Sequence, residues 1–295
     1  MVASAAALAL ALLFVAVVLP PVLARAAWPG RSPVLALVLW QAAGLAGGLL
    51  TLSLLATLAL APLGRTPADG LRHLGRADAL TWVAGLAGLA MLLRLVTMLA
   101  SSTWVTVRAR RSNRVLVDLV SQRNLLLEGA SVLDHEVPIA YCLPGLRPRL
   151  VLSRGALSLL SYDEVRAVLA HERAHLVQRH DLVVLPFVAL GATFPALRAV
   201  STAQAEVALL VELLADDRAA RHHDPALLAR ALWKIGGSGA PAGALGLAGE
   251  DVLVRARRLL HRPVPLTRGP ATAVLALALV VAASPLLGVV VPALF

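Results

Sequence analysis

The 295-residue chain is strongly apolar and carries few charges: 59% of its residues are hydrophobic, 15% are charged, and the mean hydropathy is +0.79. Ordinary soluble domains are about 45–50% apolar and about 25% charged, so this composition excludes a purely soluble globule and a disordered chain. The formal net charge is +10, but few aromatic residues lie among the arginines, which argues against a nucleic-acid-binding surface. The single cysteine, Cys142, excludes an internal disulfide.

Four apolar stretches are each long enough to cross a bilayer, which takes about 20 helical residues. They run from Met1 to Ala24, from Pro33 to Leu63, from about Ala79 to Val107, and from Ala271 to Phe295. The first stretch has no basic residue before its apolar run and is longer than a signal peptide requires. We therefore expect an uncleaved helix with the N-terminus outside, a three-helix membrane region over 1–107 and a C-terminal transmembrane helix over 271–295.

Arginines cluster at the two ends of the polar segment between the third and fourth stretches. They are Arg108, Arg110, Arg111 and Arg114 at one end and Arg255, Arg257, Arg258, Arg262 and Arg268 at the other. Because basic residues favour the cytoplasmic side, this distribution predicts a multi-pass protein of the inner (plasma) membrane whose polar body faces the cytoplasm. The loop over 64–78 then lies outside, although it also carries arginines.

Arg94 interrupts the third apolar stretch near its middle, where a charge costs about 2.5–3.5 kcal/mol on insertion scales. We expect this arginine to be paired inside the helix bundle, or the span to end close to it. The alternative is a residue that faces a partner and couples the bundle to the polar body.

Residues 108–268 form a polar domain in which strand signals are followed by helix signals. β-Forming residues broken by turn signals predict a hairpin with strands near Pro138–Leu143 and Arg149–Ser153. The S-x-x-E capping box that starts at Ser161 predicts a helix over Tyr162–Arg179. The remaining predicted elements are a helix over about Thr202–Arg221 and a flexible Gly- and Ala-rich loop over Gly236–Gly249.

The predicted capped helix contains the sequence H-E-R-A-H, which fits the pattern H-E-x-x-H. His171 and His175 are four residues apart and share one helix face, so both imidazoles can bind one ion. Glu172 lies beside the first histidine and can reach a water bound to that ion. Since Zn²⁺ lowers the pKa of its water toward about 7, a glutamate can take the proton at neutral pH. The motif therefore predicts zinc-dependent hydrolysis with Glu172 as general base.

A catalytic zinc site takes three protein ligands and keeps one open position. Glu212 and Asp216 lie four residues apart in a predicted helix, and we assign Glu212 as the third ligand. Asp216 is expected to orient a ligand histidine, as carboxylates do around zinc sites. Weaker candidates for a ligand are Glu206, Asp217, His180, His222 and His223, and the last two are alternatively candidates for stabilising the oxyanion.

The order of three apolar helices, an H-E-x-x-H body with a later E-x-x-x-D, and one last helix resembles the BlaR/MecR-type membrane zinc metallopeptidases. These are gluzincins related to the HtpX-type and CAAX prenyl proteases. The resemblance implies a mainly α membrane protein with an inserted α+β gluzincin-type protease domain. It also implies Zn²⁺ held by His171, His175 and Glu212, catalysis by Glu172, and cleavage at the cytoplasmic face, in the type members of a winged-helix transcriptional repressor.

The type members continue after their last helix into an extracellular penicillin-binding sensor domain, and we expect this sequence to lack one. No serine acylated by a β-lactam can therefore be assigned here. We expect a signal to arrive through the membrane helices, the outer loop or a separate protein.

The apolar segment Leu182–Leu197 contains two prolines and a glycine. A single membrane crossing here would separate Glu212 from the two histidines, so we predict a membrane-associated hairpin near 182–197 that keeps the zinc ligands on one side. We also expect a substrate backbone to add as a strand near Tyr141 and Leu150–Ser153, with a purely structural hairpin as an equal alternative.

Sequence alone leaves three functions open. The first is regulatory proteolysis of one protein substrate, and the second is quality control of membrane proteins by an HtpX-like protease. The third is a catalytically silent membrane adaptor that binds zinc for structure, against which the intact Glu172 argues.

Overall fold

The computed structural model describes residues 2–64, 66–124, 127, 129–145, 148–237 and 249–294. Most of the predicted loop over Gly236–Gly249 lies outside these residues. Contacts divide the chain into two compact units. The apolar unit comprises Met1–Ser102, Pro186–Glu206 and Leu266–Phe295, and the polar unit comprises Thr103–Leu185 and Val207–Pro265.

Helices make up most of the described chain. They are α1 (Val2–Arg25, with a π-helical turn at Phe14–Val18), α2 (Pro33–Leu60), α3 (Pro67–Arg72), α4 (Ala79–Val120), α5 (Arg154–Leu159), α6 (Tyr162–Val177), α7 (His180–Thr193), α8 (Arg198–Ala219), α9 (Pro225–Gly237), α10 (Gly249–Leu260), α11 (Arg268–Ala283) and α12 (Leu287–Leu294). Short 3₁₀ turns lie at Leu74–Arg76 and Ser284–Leu286.

Four helical segments are long and apolar enough to cross a membrane. They are Val2–Arg25, Pro33–Leu60, Ala79–Val115 and Arg268–Val290. These segments coincide with the four predicted apolar stretches, and their composition indicates a membrane protein. Helix α4 continues beyond its apolar part as far as Val120.

The apolar segment after the H-E-x-x-H motif forms the single helix α7, which is 14 residues long and contains Pro186. This helix is too short to span a bilayer, and its contact with the membrane remains a prediction. Its last carbonyl, that of Thr193, accepts hydrogen bonds from Arg94 Nε at 3.2 Å and Nη2 at 2.8 Å. The arginine in the third apolar stretch is therefore paired, as expected, and its charge lies at the negative end of a helix dipole.

The polar unit contains a four-stranded sheet in the order β1-β2-β4-β3. Its strands are β1 (Ser121–Asn124), β2 (Ala130–Leu133), β3 (Ala140–Leu143) and β4 (Arg149–Ser153). Strands β3 and β4 form the predicted antiparallel hairpin, with Tyr141 opposite Val151. Strand β4 also pairs with β2 in parallel, so β4 lies inside the sheet and β3 at its edge.

Helix α6 packs over this sheet, and the hydrophobic core of the polar unit lies around it. Its fully buried members include Leu152, Val168, Leu169, Leu228, Leu232 and Ile235. The predicted capping box is present, because Ser161 N–H donates to Glu164 and Glu164 N–H donates to Ser161 Oγ. Glu164 also accepts a 2.7 Å hydrogen bond from Lys234 on α9, which fixes the start of α6 against its neighbour.

Helix α6 ends at Val177, two residues before the predicted end at Arg179. Arg179 has a φ of 51°, in the left-handed region that few residues other than glycine adopt. This turn stops α6 and starts α7 at His180. After this turn, His180 lies against His175 of α6, with their Nδ1 atoms 2.9 Å apart.

Candidate metal centre

Helix α6 carries three candidate active-site residues on its buried side. His171 is fully buried, Glu172 is 5% exposed, and His175 lies one turn further along the same face. The Nε2 atoms of the two histidines are 3.1 Å apart. Helical spacing alone therefore brings both imidazoles to one point, as the H-E-x-x-H pattern predicts.

Helix α8 brings the carboxylate of Glu212 to the same point. Its Oε2 lies 3.3 Å from His171 Nε2, and its Oε1 lies 3.4 Å from His175 Nε2. The ligand atoms of the three residues all lie within 4.8 Å of one another. Within the described ranges, no other set of three His, Cys, Asp or Glu side chains is placed to hold a metal ion.

These distances fit a tetrahedral zinc site. Nitrogen and oxygen ligands lie about 2.0–2.2 Å from Zn²⁺, so two of them on a tetrahedral ion are about 3.3 Å apart. Two imidazoles with one carboxylate are also a typical ligand set for a catalytic zinc. The residues present therefore fit the predicted ion, which His171, His175 and Glu212 could hold.

Asp216, one turn after Glu212, contacts the other side of the first histidine. Its Oδ1 lies 2.9 Å from His171 Nδ1, which leaves Nε2 of that ring directed at the candidate metal position. This is the contact predicted for an orienting carboxylate. Burial raises the pKa of the Asp216 carboxyl, but the charge of Arg255 and hydrogen bonds from Arg255 and His171 outweigh it and hold that pKa far below its usual range.

Arg255 on α10 is the site residue that the sequence analysis missed. Its guanidinium binds both Asp216 oxygens, with Nε–Oδ2 and Nη2–Oδ1 distances of 2.8 Å, and its Nη1 lies 2.8 Å from Glu212 Oε2. In the sequence, this arginine serves only as a topology signal, yet its side chain is completely buried. The spacing of Val252, Arg255 and Leu259 could have indicated that Arg255 is buried, because these residues share one helix face. In the structure, both apolar residues of this face are buried.

Burial and charge give the two neighbouring motif residues unusual acidities. Burial lowers the pKa of His171, but its hydrogen bonds to Asp216 and Glu212 outweigh this effect and raise the pKa to about 9. Burial raises the pKa of Glu172 to about 7. A carboxyl group with that pKa can accept a proton and return it near neutral pH, which is the property that a general base requires.

His180 lies on the opposite side of the second motif histidine. Its Nδ1 is 2.9 Å from His175 Nδ1, and the two rings are nearly perpendicular. Burial lowers the pKa of His175 to about 3 and that of His180 to about 4, so both imidazoles are neutral at pH 7. In the sequence, His180 is only a weak alternative ligand, and the structure places it in contact with the candidate ligand His175 instead.

The remaining alternatives lie away from the candidate metal position. Asp217 forms a two-point ion pair with Arg258 at 2.6 and 2.9 Å. His222 is exposed, and neither it nor His223 is among the described residues that line the site cavity. Glu206 does not join the group of three ligand residues.

A cavity of about 320 Å³ opens beside the candidate metal position in the polar unit. It is lined by Arg110, Tyr141, Cys142, Leu143, Pro144, Glu172, His175, His180, Asp181 and Glu212. Strand β3 thus supplies part of the wall, and the Cys142 thiol hydrogen-bonds to Glu172. Burial raises the pKa of this thiol, followed by the effect of the neighbouring Glu172 charge, so Cys142 is not a thiolate at neutral pH.

The open edge of β3 corrects one prediction about substrate binding. Addition of a strand at Leu150–Ser153 is not available, because β4 already has β2 on one side and β3 on the other. Tyr141 lies on β3, an edge strand of the described sheet, so an extended peptide can pair with this strand instead.

Comparison with known proteins agrees with the chemistry of this site. The sequence model of peptidase family M48 matches residues 106–212, a range that contains His171, Glu172, His175 and Glu212. The match supports a metallopeptidase of the M48 family, whose members are zinc-dependent hydrolases. The match does not identify the BlaR/MecR-type or the HtpX-type subgroup. Searches of curated proteins and of solved structures find no significant match.

Proposed function

We propose that the protein is a membrane-embedded, zinc-dependent endopeptidase that cleaves a protein substrate at the cytoplasmic face. The observation that carries this proposal is the convergence of His171, His175 and Glu212 at tetrahedral spacing, next to the buried carboxyl of Glu172. The M48 match over the same residues supports the reaction class. The four apolar helices support the membrane location.

The chain's own residues suggest how a peptide would be cleaved. When bound, Zn²⁺ would polarise the scissile carbonyl and make a water acidic. Glu172, with its pKa near 7, would take a proton from the attacking water and pass it to the leaving amine. Strand β3 would hold the substrate backbone in extended form along the cavity, so that the scissile bond lies beside Glu172.

The geometry favours an enzyme over a silent zinc-binding adaptor. A structural zinc site is closed by four protein ligands and needs no general base. Here the described group contains three ligand residues, and Glu172 is buried beside them in a cavity. The experiment is cleavage of protein substrates by the purified full-length chain, with Glu172→Gln as the matched variant. We expect cleavage by the wild type and none by the variant, and equal activity of the two would refute the proposal.

We further propose that the substrate is one regulatory protein, of the winged-helix repressor type, rather than many damaged membrane proteins. The order of helices and motifs supports this choice. Comparison of protein N-termini in cells that express the wild type or Glu172→Gln distinguishes the two. One or a few cleaved cytoplasmic proteins would agree with regulation, whereas many cleaved membrane proteins would show quality control.

The proposed orientation has its own test. In a Cys142→Ser background, single cysteines can be introduced at Gly75, in the loop expected outside, and at the exposed Ser158 of the polar unit. A membrane-impermeant maleimide should label position 75 in intact cells and position 158 only after lysis. The reverse pattern would place the active site outside the cytoplasm.

A further inference from the structure

We propose that His180 is a positioning residue for the metal ligand His175. It would fix the tautomer and the ring orientation of that ligand, in the way that Asp216 serves His171. The inference rests on the proposed metal site, because it assigns a purpose to a residue behind one of its ligands.

The fold brings these two histidines together through a specific turn. His175 and His180 are five residues apart, a spacing that does not place side chains on one helix face. Arg179, in the left-handed conformation, lies between the end of α6 and the start of α7, and the His180 ring is nearly perpendicular to that of His175 with their centres 4.7 Å apart. His180 is 4% exposed, so this contact is part of the packed interior of the polar unit.

Hydrogen-bond chemistry allows one assignment of protons if His175 binds a metal through Nε2. A metal-bound Nε2 has no proton, so a neutral His175 carries its proton on Nδ1. That Nδ1–H then donates to His180 Nδ1 across the 2.9 Å contact. His180 must accept at Nδ1, and its own proton therefore lies on Nε2. The alternative direction, with His180 donating, would put a proton on His175 Nε2 and block metal binding.

The hydrogen bonding of His180 is directed at His175 alone. The described structure gives its side chain no other hydrogen bond, and its buried Nε2 has no partner among the described residues. An imidazole present only for packing would gain nothing over an apolar side chain at this position. Among the described residues, the contact with His175 is the one hydrogen bond of this buried ring, which also lines the site cavity.

The two ligand histidines are thus held by groups of different charge. His171 donates to Asp216, a carboxylate that is itself bound by Arg255. His175 donates to a neutral imidazole, which accepts the proton without adding negative charge. An orienting partner of a zinc ligand typically contributes about 10–100-fold to metal affinity, and we expect His180 to fall in this range.

The test is the zinc dissociation constant of the purified full-length protein in detergent, measured by competition with a chromophoric chelator. His180→Leu and His180→Phe remove the acceptor, whereas His180→Asn places an amide oxygen near the former Nδ1. We expect the first two to weaken zinc binding by about 10–100-fold and the asparagine variant to stay within about 3-fold of wild type. His222→Leu, at an exposed histidine, is the matched control and should leave the constant unchanged.

A second measurement uses the wild type, so its result does not depend on whether a variant folds. Long-range ¹H–¹⁵N spectra of the zinc-loaded wild type, labelled at histidine nitrogens, report directly which ring nitrogen carries each proton. We expect Nδ1–H at His175 and Nε2–H at His180. Unchanged zinc affinity in folded His180→Leu, or an Nδ1–H form of His180, would overturn the inference while leaving the zinc site intact. A wild type that binds no zinc would instead overturn the proposed function itself.

Discussion

Replacement of Arg255 by methionine tests how the buried charges around the site are balanced. The guanidinium lies within 2.8 Å of three carboxylate oxygens, two on Asp216 and one on Glu212, and it is completely buried. Removing it would leave two largely buried carboxylates without their main cationic partner. Breaking a buried ion pair from one side costs about 3–5 kcal/mol, so we expect Arg255→Met to lower the free energy of unfolding of the metal-free protein by about this amount.

The assay is thermal unfolding of the full-length protein in detergent with a chelator present. For a domain of about 150 residues, each 1 kcal/mol shifts Tm by about 2–4 °C, so the expected decrease is roughly 6–20 °C. Arg257→Met is the matched control, because Arg257 lies on the same helix with an exposed side chain. A decrease no larger than that of the control would refute the view that Arg255 neutralises the buried carboxylates.

Two further predictions concern Asp216 and Glu164. Asp216→Asn removes the charge that orients His171, and we expect about 10–100-fold weaker zinc binding in a chelator competition; an unchanged constant would contradict this role. For Glu164, burial raises the carboxyl pKa, but bonds from Lys234 and Ser161 hold it below its ordinary value. Its stabilising effect is therefore fully present above the ordinary glutamate pKa of about 4.3 and is lost as pH falls through the lower pKa of the folded state. We expect Glu164→Gln to lower Tm at pH 7, and the difference from the wild type to shrink as the pH falls below the ordinary glutamate pKa. A difference independent of pH would contradict the assignment.

Local sequence signals predicted the structure correctly where a single helix or a single turn determines it. The spacing in H-E-x-x-H places His171 and His175 together by helical geometry alone, and the capping box at Ser161 marks the start of α6 correctly. The hairpin of β3 and β4 likewise depends on neighbouring residues and a turn. Glu212 could be predicted as the third ligand because the pattern E-x-x-x-D repeats the same four-residue spacing on a second helix.

Contacts between distant segments could not be predicted in this way. Strand β2 pairs in parallel with β4 rather than with its chain neighbour β3, and no local pattern indicates this order. The positive-inside rule treats each arginine as a solvated charge. In the structure, five of the arginines used for the topology instead form bonds within the polar unit, namely Arg110, Arg114, Arg255, Arg258 and Arg262.

The contact between His180 and His175 could not be predicted for a related reason. His180 lies beyond the end of α6, so helix periodicity gives no reason to connect it with His175. The left-handed backbone at Arg179 makes the connection, and arginine rarely adopts that conformation.

The most direct test of the central claim is the zinc content of the purified full-length wild type, Glu172→Gln and Glu212→Gln, measured by elemental analysis. If His171, His175 and Glu212 hold the ion and Glu172 serves only as the base, the first two proteins will contain about one zinc per chain. Glu212→Gln will then contain far less. Full zinc content in Glu212→Gln, or loss of zinc in Glu172→Gln, would contradict this assignment of ligands and base.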